Sequence, residues 1–113
     1  MSFSFSGLQP DIVWRHFATL CATPRASKVE AGLRDFLLQW ALARGLAAVV
    51  DAAGNLNIRK AASAGCEGRP GVVLQAHLDM VCQKNADSCH DFSCDPIIPL
   101  LRDGWLVAEE TTL

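Results

Sequence analysis

The chain has 113 residues, a formal net charge of −2 and a composition that is 50% hydrophobic, with eight glycines and five prolines. This length and composition are typical of one globular domain with a modest core, and they exclude a disordered or fibrous polymer. The small negative charge and the lack of a basic cluster argue against nucleic-acid binding and imply no strongly charged partner.

The first eight residues contain neither a basic segment nor an apolar stretch long enough for a signal peptide or a membrane span. We therefore expect a cytoplasmic protein that does not bind a membrane. The five cysteines are an odd number and form no CxxC pair. In a chain without a signal peptide, this pattern predicts free thiols rather than a disulfide framework.

Two amphipathic helices are predicted in the first half of the chain. The first covers residues 10–23 and has a proline in its first turn. The second begins at Ser27, which forms a capping box with Glu30, and extends to Arg44, just before Gly45. The predicted apolar stripes are Val13, Trp14, Phe17, Leu20 and Cys21 in the first helix, and Val29, Leu33, Phe36, Leu37, Trp40 and Ala41 in the second.

Two β-hairpins are predicted, one on each side of the central segment. Residues 47–51 and 55–60 read as two strands joined by a short turn that contains glycine. Residues 100–107 place the pair Asp103-Gly104 between two apolar arms, which is typical of a tight hairpin.

The central segment, residues 72–81, has the sequence VVLQAHLDMV. Its β-branched and aliphatic residues predict a strand that is buried on both faces. His77 would then lie at a strand end, where open α/β sheets place their ligand sites, and Asp79 follows two residues later. By itself this pair is a weak signal, because a surface histidine near an unrelated aspartate fits the pattern equally well.

Residues 82–99 have no helical or strand periodicity and predict a loop. Four residues in this loop could in principle form a zinc knuckle, namely Cys82, Cys89, His90 and Cys94. Their spacing differs from the paired spacing of structural zinc sites, which disfavours that interpretation.

Several segments together resemble the amino-terminal part of the aminoacyl-histidine dipeptidases, which are also called Xaa-His or β-alanyl-histidine dipeptidases. These enzymes belong to the two-zinc metallopeptidases, with carboxypeptidase G and acetylornithine deacetylase. The resemblance covers nearly the whole chain, and its matching segments are 10–24, 51–60, 72–81, 83–85, 90–92, 95–97 and 111–113.

The resemblance implies an α/β fold with a mixed β-sheet flanked by helices. Residues 1–113 would be the amino-terminal part of a zinc-peptidase-like catalytic domain. The complete enzyme would hydrolyse dipeptides, with histidine at the carboxyl-terminal position, by means of water activated by two zinc ions, which cobalt or manganese could replace. His77 matches the family's first zinc ligand, and Asp79 matches the carboxylate that orients this imidazole.

The chain departs from the family pattern at Leu113, because the resembling proteins continue there into a Gly-x-Asp-Asn motif whose aspartate bridges both metals. The remaining metal ligands and the general base would lie further on. Glu109 and Glu110 precede that motif, so we expect them to be solvated charges and not the family's paired glutamates. The 113-residue chain alone is therefore expected to be inactive, and it could form a homo-oligomer.

Two other functions remain open at this point. The chain could be a non-catalytic module that keeps the fold and serves binding or self-association. It could also be a thiol-based metal or redox module that uses Cys82, Cys89 and Cys94, although the spacing disfavours this.

Overall fold

A computed structural model describes Phe5 and residues 7–112. Over these residues the elements are α1 (Asp11–Ala22), α2 (Ala31–Leu42), β1 (Ala47–Val50), β2 (Leu56–Arg59), β3 (Pro99–Arg102) and β4 (Trp105–Ala108). The chain divides into two compact units. The first unit comprises Met1–Leu33 and Asp79–Leu113, and the second comprises Arg34–Leu78.

Helix α1 packs a half-buried aromatic face against Phe5 within the first unit. The ring centroid of Phe5 lies 5.7 Å from that of Trp14 and 5.9 Å from that of Phe17. One turn further along, Cys21 is 2% exposed. The predicted helix is confirmed to within one residue at each end, and its apolar stripe is confirmed except at Val13, which is 53% exposed.

Helix α2 is shorter than the sequence predicts, because it begins at Ala31 and not at Ser27. Lys28 has a φ of 71°, a left-handed conformation that a right-handed helix cannot include. At its other end the helix stops at Leu42, two residues before the predicted Arg44, and Gly45 has the positive φ of 71° that the prediction required.

The first predicted hairpin is confirmed in the second unit. Strands β1 and β2 are antiparallel, and Val50 is opposite Leu56. The Asp51 carboxylate closes the turn, because it accepts hydrogen bonds from the backbone N–H groups of Ala53 at 2.9 Å and Asn55 at 2.8 Å. Its other oxygen accepts from the Asn55 side chain at 2.9 Å.

The stability of this turn should decrease in acid, because Asp51 must be ionised to accept these hydrogen bonds. The hydrogen bonds from Asn55 hold the pKa of Asp51 below its ordinary value of 3.8. Because the folded pKa is the lower one, these bonds stabilise the hairpin above the ordinary pKa, and the stabilisation is lost as the pH falls through the folded pKa. We expect the amide chemical shifts of Ala53 and Asn55 to titrate with a midpoint below 3.8. Asp51→Asn should abolish this titration, and a midpoint at or above the ordinary value would contradict the assignment.

The second predicted hairpin is confirmed in the first unit. Strands β3 and β4 are antiparallel, with Arg102 opposite Trp105. The turn residues Asp103 and Gly104 have φ values of 51° and 80°, as a tight hairpin of this type requires. Just after β4, Glu109 Oε1 forms an ion pair with Arg102 Nη2 at 2.5 Å.

The predicted buried strand at 72–81 is wrong. The structure assigns no strand there, and Val72, Val73 and Leu74 are 82%, 90% and 92% exposed. A strand buried on both faces needs partners beside it, but β1 and β2 pair with each other, as do β3 and β4. The expected combination of helices and strands is confirmed, whereas the described residues form two separate two-stranded antiparallel sheets in place of one mixed sheet.

In the part of the chain that the structure covers, no helix is both long and apolar enough to cross a membrane.

Candidate functional site

His77 lies in the second unit, three residues after Leu74, and it is exposed to solvent. Because no strand is assigned in this segment, His77 is not at the end of a paired strand as the sequence predicted. A neutral imidazole can still offer one ring nitrogen to a divalent metal, provided that an acceptor holds the other ring nitrogen.

Asp79 belongs to the first unit and is partly buried. The Ser27 hydroxyl donates a 2.5 Å hydrogen bond to its Oδ2 atom. In the next residue, the Met80 N–H donates to the Arg25 carbonyl at 3.0 Å, and Ala26 and Met80 form a parallel β-bridge. The peptide that follows α1 therefore fixes both the backbone and the carboxylate at this position.

Arg25 connects this contact to the end of α1. Its Nη1 atom donates to the carbonyl of Leu20 and, at 3.5 Å, to that of Thr23. The last carbonyls of a helix have no partner within the helix, so a cation near them satisfies them and interacts favourably with the helix dipole. Arg25 thereby connects the segment that contacts Asp79 to the carboxyl-terminal end of α1.

The residues after Met80 form hydrogen bonds with Thr111 and Thr112. The Thr112 hydroxyl donates to the Val81 carbonyl at 3.1 Å, and the Thr112 N–H donates to the Gln83 carbonyl at 2.9 Å. Lys84 and Thr111 form an antiparallel bridge. Within the first unit, the segment that begins at Asp79 thus has hydrogen-bonded neighbours on both flanks.

Sequence reasoning missed the contribution of Ser27. The capping-box pattern assigned its hydroxyl to the start of α2, but in the structure the hydroxyl donates to a carboxylate 52 positions away. Local spacing carries no information about a contact at that separation.

Residues 82–98 form a loop, as predicted, and β3 begins at Pro99, but the thiols and imidazole of this loop do not form a zinc knuckle. Among the residues that the structure describes, no group of three or more His, Cys, Asp or Glu side chains could hold a metal ion. The ring of His90 packs edge-on against Phe92 at 4.5 Å, and the His90 carbonyl accepts from Lys84 Nζ at 2.6 Å. All five cysteines are free thiols, as the sequence predicts.

The environment of Cys94 also argues against a thiolate function. Desolvation and the neighbouring Asp91 carboxylate raise the pKa of the Cys94 thiol above its ordinary value. Metal ligands and nucleophiles use the thiolate, which a raised pKa disfavours at neutral pH. The interpretation as a thiol-based metal or redox module therefore loses support.

We expect the loop cysteines to be dispensable for folding. Replacing Cys82, Cys89 and Cys94 together with serine should leave the melting temperature and the metal content unchanged. Cys21→Ser is the matched control, because this side chain is buried and the new hydroxyl should cost about 1–3 kcal/mol if it finds no partner. Thermal unfolding followed by circular dichroism and metal analysis would test both. Stoichiometric zinc that disappears with the triple substitution would support the knuckle.

The imidazole of His77 is a suitable zinc ligand, but the described residues do not provide enough ligands to form a zinc site with it. Catalytic zinc takes three protein ligands and structural zinc takes four. The absence of any three-residue ligand group holds for the described residues, which exclude the first four positions, position 6 and position 113. We therefore derive no reaction step through a metal from this structure.

The acidic pair after β4 is solvated, as the sequence predicts. Glu109 and Glu110 are both exposed, and Glu109 pairs with Arg102. Glu110, with Thr111 and His90, lines a cleft of about 460 Å³ in the first unit.

No protein-family model matches the chain. The cytosol non-specific dipeptidase of Escherichia coli (strain K12) is 47% identical to it over 108 residues, which are 96% of this chain and 22% of that protein. The crystal structure of the aminoacylhistidine dipeptidase from Vibrio alginolyticus matches with a TM-score of 0.93 and 43% identity. That match covers 98% of this chain and 23% of the other, so the chain spans less than a quarter of the length of either relative.

Proposed function

We infer that this chain is a member of the aminoacylhistidine dipeptidase family, because likenesses at 47% and 43% identity each cover nearly all of it. A TM-score of 0.93 over 98% of the chain supports the same relationship at the level of the fold. We propose that the chain supplies the amino-terminal part of a metal-dependent dipeptidase catalytic domain. The observation that carries this proposal is the extent of the likeness along the chain.

The substrates that we propose are dipeptides, with Xaa-His dipeptides among them. The name of the Escherichia coli relative describes a non-specific cytosolic enzyme, and that of the Vibrio alginolyticus relative describes an aminoacylhistidine dipeptidase. We extend the shared activity, dipeptide hydrolysis, to the complete gene product, together with a cytosolic location. Nothing in the charge of the chain favours a nucleic-acid partner.

Two residues of this chain have roles in the proposal. His77 is one metal ligand, and Asp79 accepts the N–H of the other imidazole nitrogen, which fixes the tautomer and makes the ring a better donor. The metal would be zinc, with cobalt or manganese as possible replacements. The chemistry that a pair of such ions supplies is polarisation of the scissile carbonyl and activation of water. The proposal takes the further ligands from the rest of the complete enzyme, and it is supported by the lack of any group of three or more candidate ligands among the described residues.

The test uses the complete gene product, loaded with zinc, cobalt or manganese. We expect it to hydrolyse a dipeptide with carboxyl-terminal histidine, to lose activity with a chelator and to regain it when metal is restored. A matched dipeptide with carboxyl-terminal leucine measures how specific the enzyme is for histidine. A folded, metal-loaded protein that hydrolyses neither dipeptide would contradict the proposal and favour a non-catalytic module.

A further inference from the structure

We propose that residues 72–76 form an interaction surface, and that the part of the complete polypeptide outside residues 1–113 covers it. The inference rests on the proposed function, in which this chain is one part of a longer dipeptidase. The observation behind it is the exposure of Val72, Val73 and Leu74, whose side chains are 82%, 90% and 92% exposed. No other large hydrophobic side chain in the described part of the chain is as exposed as these three.

The backbone of this segment can accept strand partners. None of the described residues 72–78 has a positive φ, so the chain contains no turn conformation there. The structure assigns residues 71–79 to no strand and no bridge, which leaves the segment without a strand neighbour in the described part of the chain. An unpaired segment of this kind presents a row of N–H and C=O groups to any strand that comes beside it.

The side chains define the chemistry of the partner. Three consecutive β-branched or aliphatic residues are typical of a segment that apolar side chains cover. No Asp, Glu, Lys or Arg lies between Arg69 and Asp79, so the surface offers no charged group to an ionic partner. The partner that fits is therefore an extended, uncharged segment with apolar side chains packed around it.

The exposure on both faces decides between a second copy and the rest of the polypeptide. In a paired strand, successive side chains point to opposite faces, so Val72 and Leu74 would lie on one face and Val73 on the other. All three are exposed, so both faces need cover. A second copy paired along this segment would occupy one flank and leave the other flank and both faces open to solvent.

The longer relative has enough additional chain to supply all of this cover. This chain matches the Vibrio alginolyticus structure with a TM-score of 0.93 over 98% of its length, so its fold is one that exists inside a longer protein. The match covers 23% of that protein, and more than three quarters of it lies outside the match. We therefore assign the cover to the rest of the same polypeptide and not to a second copy.

The experiment is amide hydrogen exchange of the complete gene product, followed by mass spectrometry over a wide range of protein concentrations. We expect residues 72–76 to exchange at least roughly 1,000-fold more slowly than an unstructured peptide, at every concentration. Residues 61–64 are the internal control, because they are exposed and lie in a loop of small residues, and they should exchange fast. Fast exchange at residues 72–76 would overturn the inference, and so would protection that appears only as the concentration rises, because that result indicates a second copy.

A lysine substitution tests the same surface through stability. In the complete gene product, Val73→Lys places a charge where the proposal puts apolar cover, and we expect it to lower the melting temperature by about 5 °C or more. Ala62→Lys is the matched control, because Ala62 is exposed in the loop of the same unit, and it should melt as the wild type does. Equal melting temperatures for Val73→Lys and the wild type would contradict the inference. If Val73→Lys does not fold, the exchange of the wild type decides alone.

Failure of this inference can be distinguished from failure of the proposed function, because hydrogen exchange does not depend on activity. A complete gene product that hydrolyses dipeptides while residues 72–76 exchange fast would refute the surface and leave the function standing. A folded product that protects these residues and hydrolyses no dipeptide would refute the function and support the surface.

Discussion

Replacing His77 with alanine in the complete gene product is expected to abolish dipeptide hydrolysis and to lower the amount of bound metal. The proposed role gives the imidazole a direct bond to the metal, and catalytic zinc has only three protein ligands, so each one is essential. Asp79→Ala should be milder, because the carboxylate supports the ligand without binding the metal. We expect roughly a 10–100-fold loss of activity, with part of the metal retained.

The control for this experiment is His16→Ala, since His16 is an exposed histidine on α1 and has no proposed role at the site. Metal content by atomic spectroscopy, kcat and KM should be measured for all three variants. Circular dichroism should show that each variant is folded. Full activity in His77→Ala would contradict the assignment, and so would equal losses in His77→Ala and His16→Ala.

Local sequence signals predicted most of the secondary structure. The turn at Asp103-Gly104 was found correctly, because a hairpin of this type requires two residues that adopt positive φ, and few residue pairs do so easily. The stop of α2 before Gly45 was found for a similar reason, although the helix ends at Leu42. These features depend on residues only a few positions apart.

The segment 72–81 shows where local signals fail. Its composition predicts a buried strand, but burial depends on which other segments pair with it and cover it. The described residues leave Val73 and Leu74 90% and 92% exposed. Strand propensity alone therefore predicted a strand that the structure does not assign, because propensity carries no information about which segments lie beside this one.

The candidate site was only partly predictable for the same reason. The choice of His77 and Asp79 came from the family resemblance, because the pair alone is a weak pattern, and their roles stay a prediction. The contact between Ser27 and Asp79 joins positions 52 residues apart, and the capping-box pattern pointed to a different partner. Only the folded chain brings these two side chains together.

The 113-residue chain by itself is expected to show no peptidase activity and to bind no stoichiometric zinc. A catalytic metal site needs several protein ligands and a general base, whereas no three-residue ligand group occurs in the described part of the chain. A single imidazole cannot retain zinc against water and buffer. The assay is hydrolysis of histidine-containing dipeptides by purified residues 1–113 with added zinc, cobalt or manganese.

The same chain should also self-associate, with Val72, Val73 and Leu74 as the contact segment. These three side chains are 82%, 90% and 92% exposed, and no Asp, Glu, Lys or Arg lies between Arg69 and Asp79. An uncharged, extended apolar segment without a strand partner can pair with a second copy, and proteins commonly prevent this by placing a lysine in such a segment. Val73→Lys should therefore reduce association. Val13→Lys is the control, because Val13 is exposed on α1, whose backbone groups are already paired.

Light scattering over a range of protein concentrations would measure this association. We expect the average mass of residues 1–113 to rise with concentration, that of Val73→Lys to stay near the monomer mass, and that of Val13→Lys to follow the wild type. Equal association by both lysine variants would mean that the contact lies elsewhere on the chain. A wild-type chain that stays monomeric would contradict the expected self-association, because its exposed apolar surface would then need no partner. A wild-type chain that hydrolyses dipeptides when metal is added would contradict the expected inactivity, because it would possess a complete metal site.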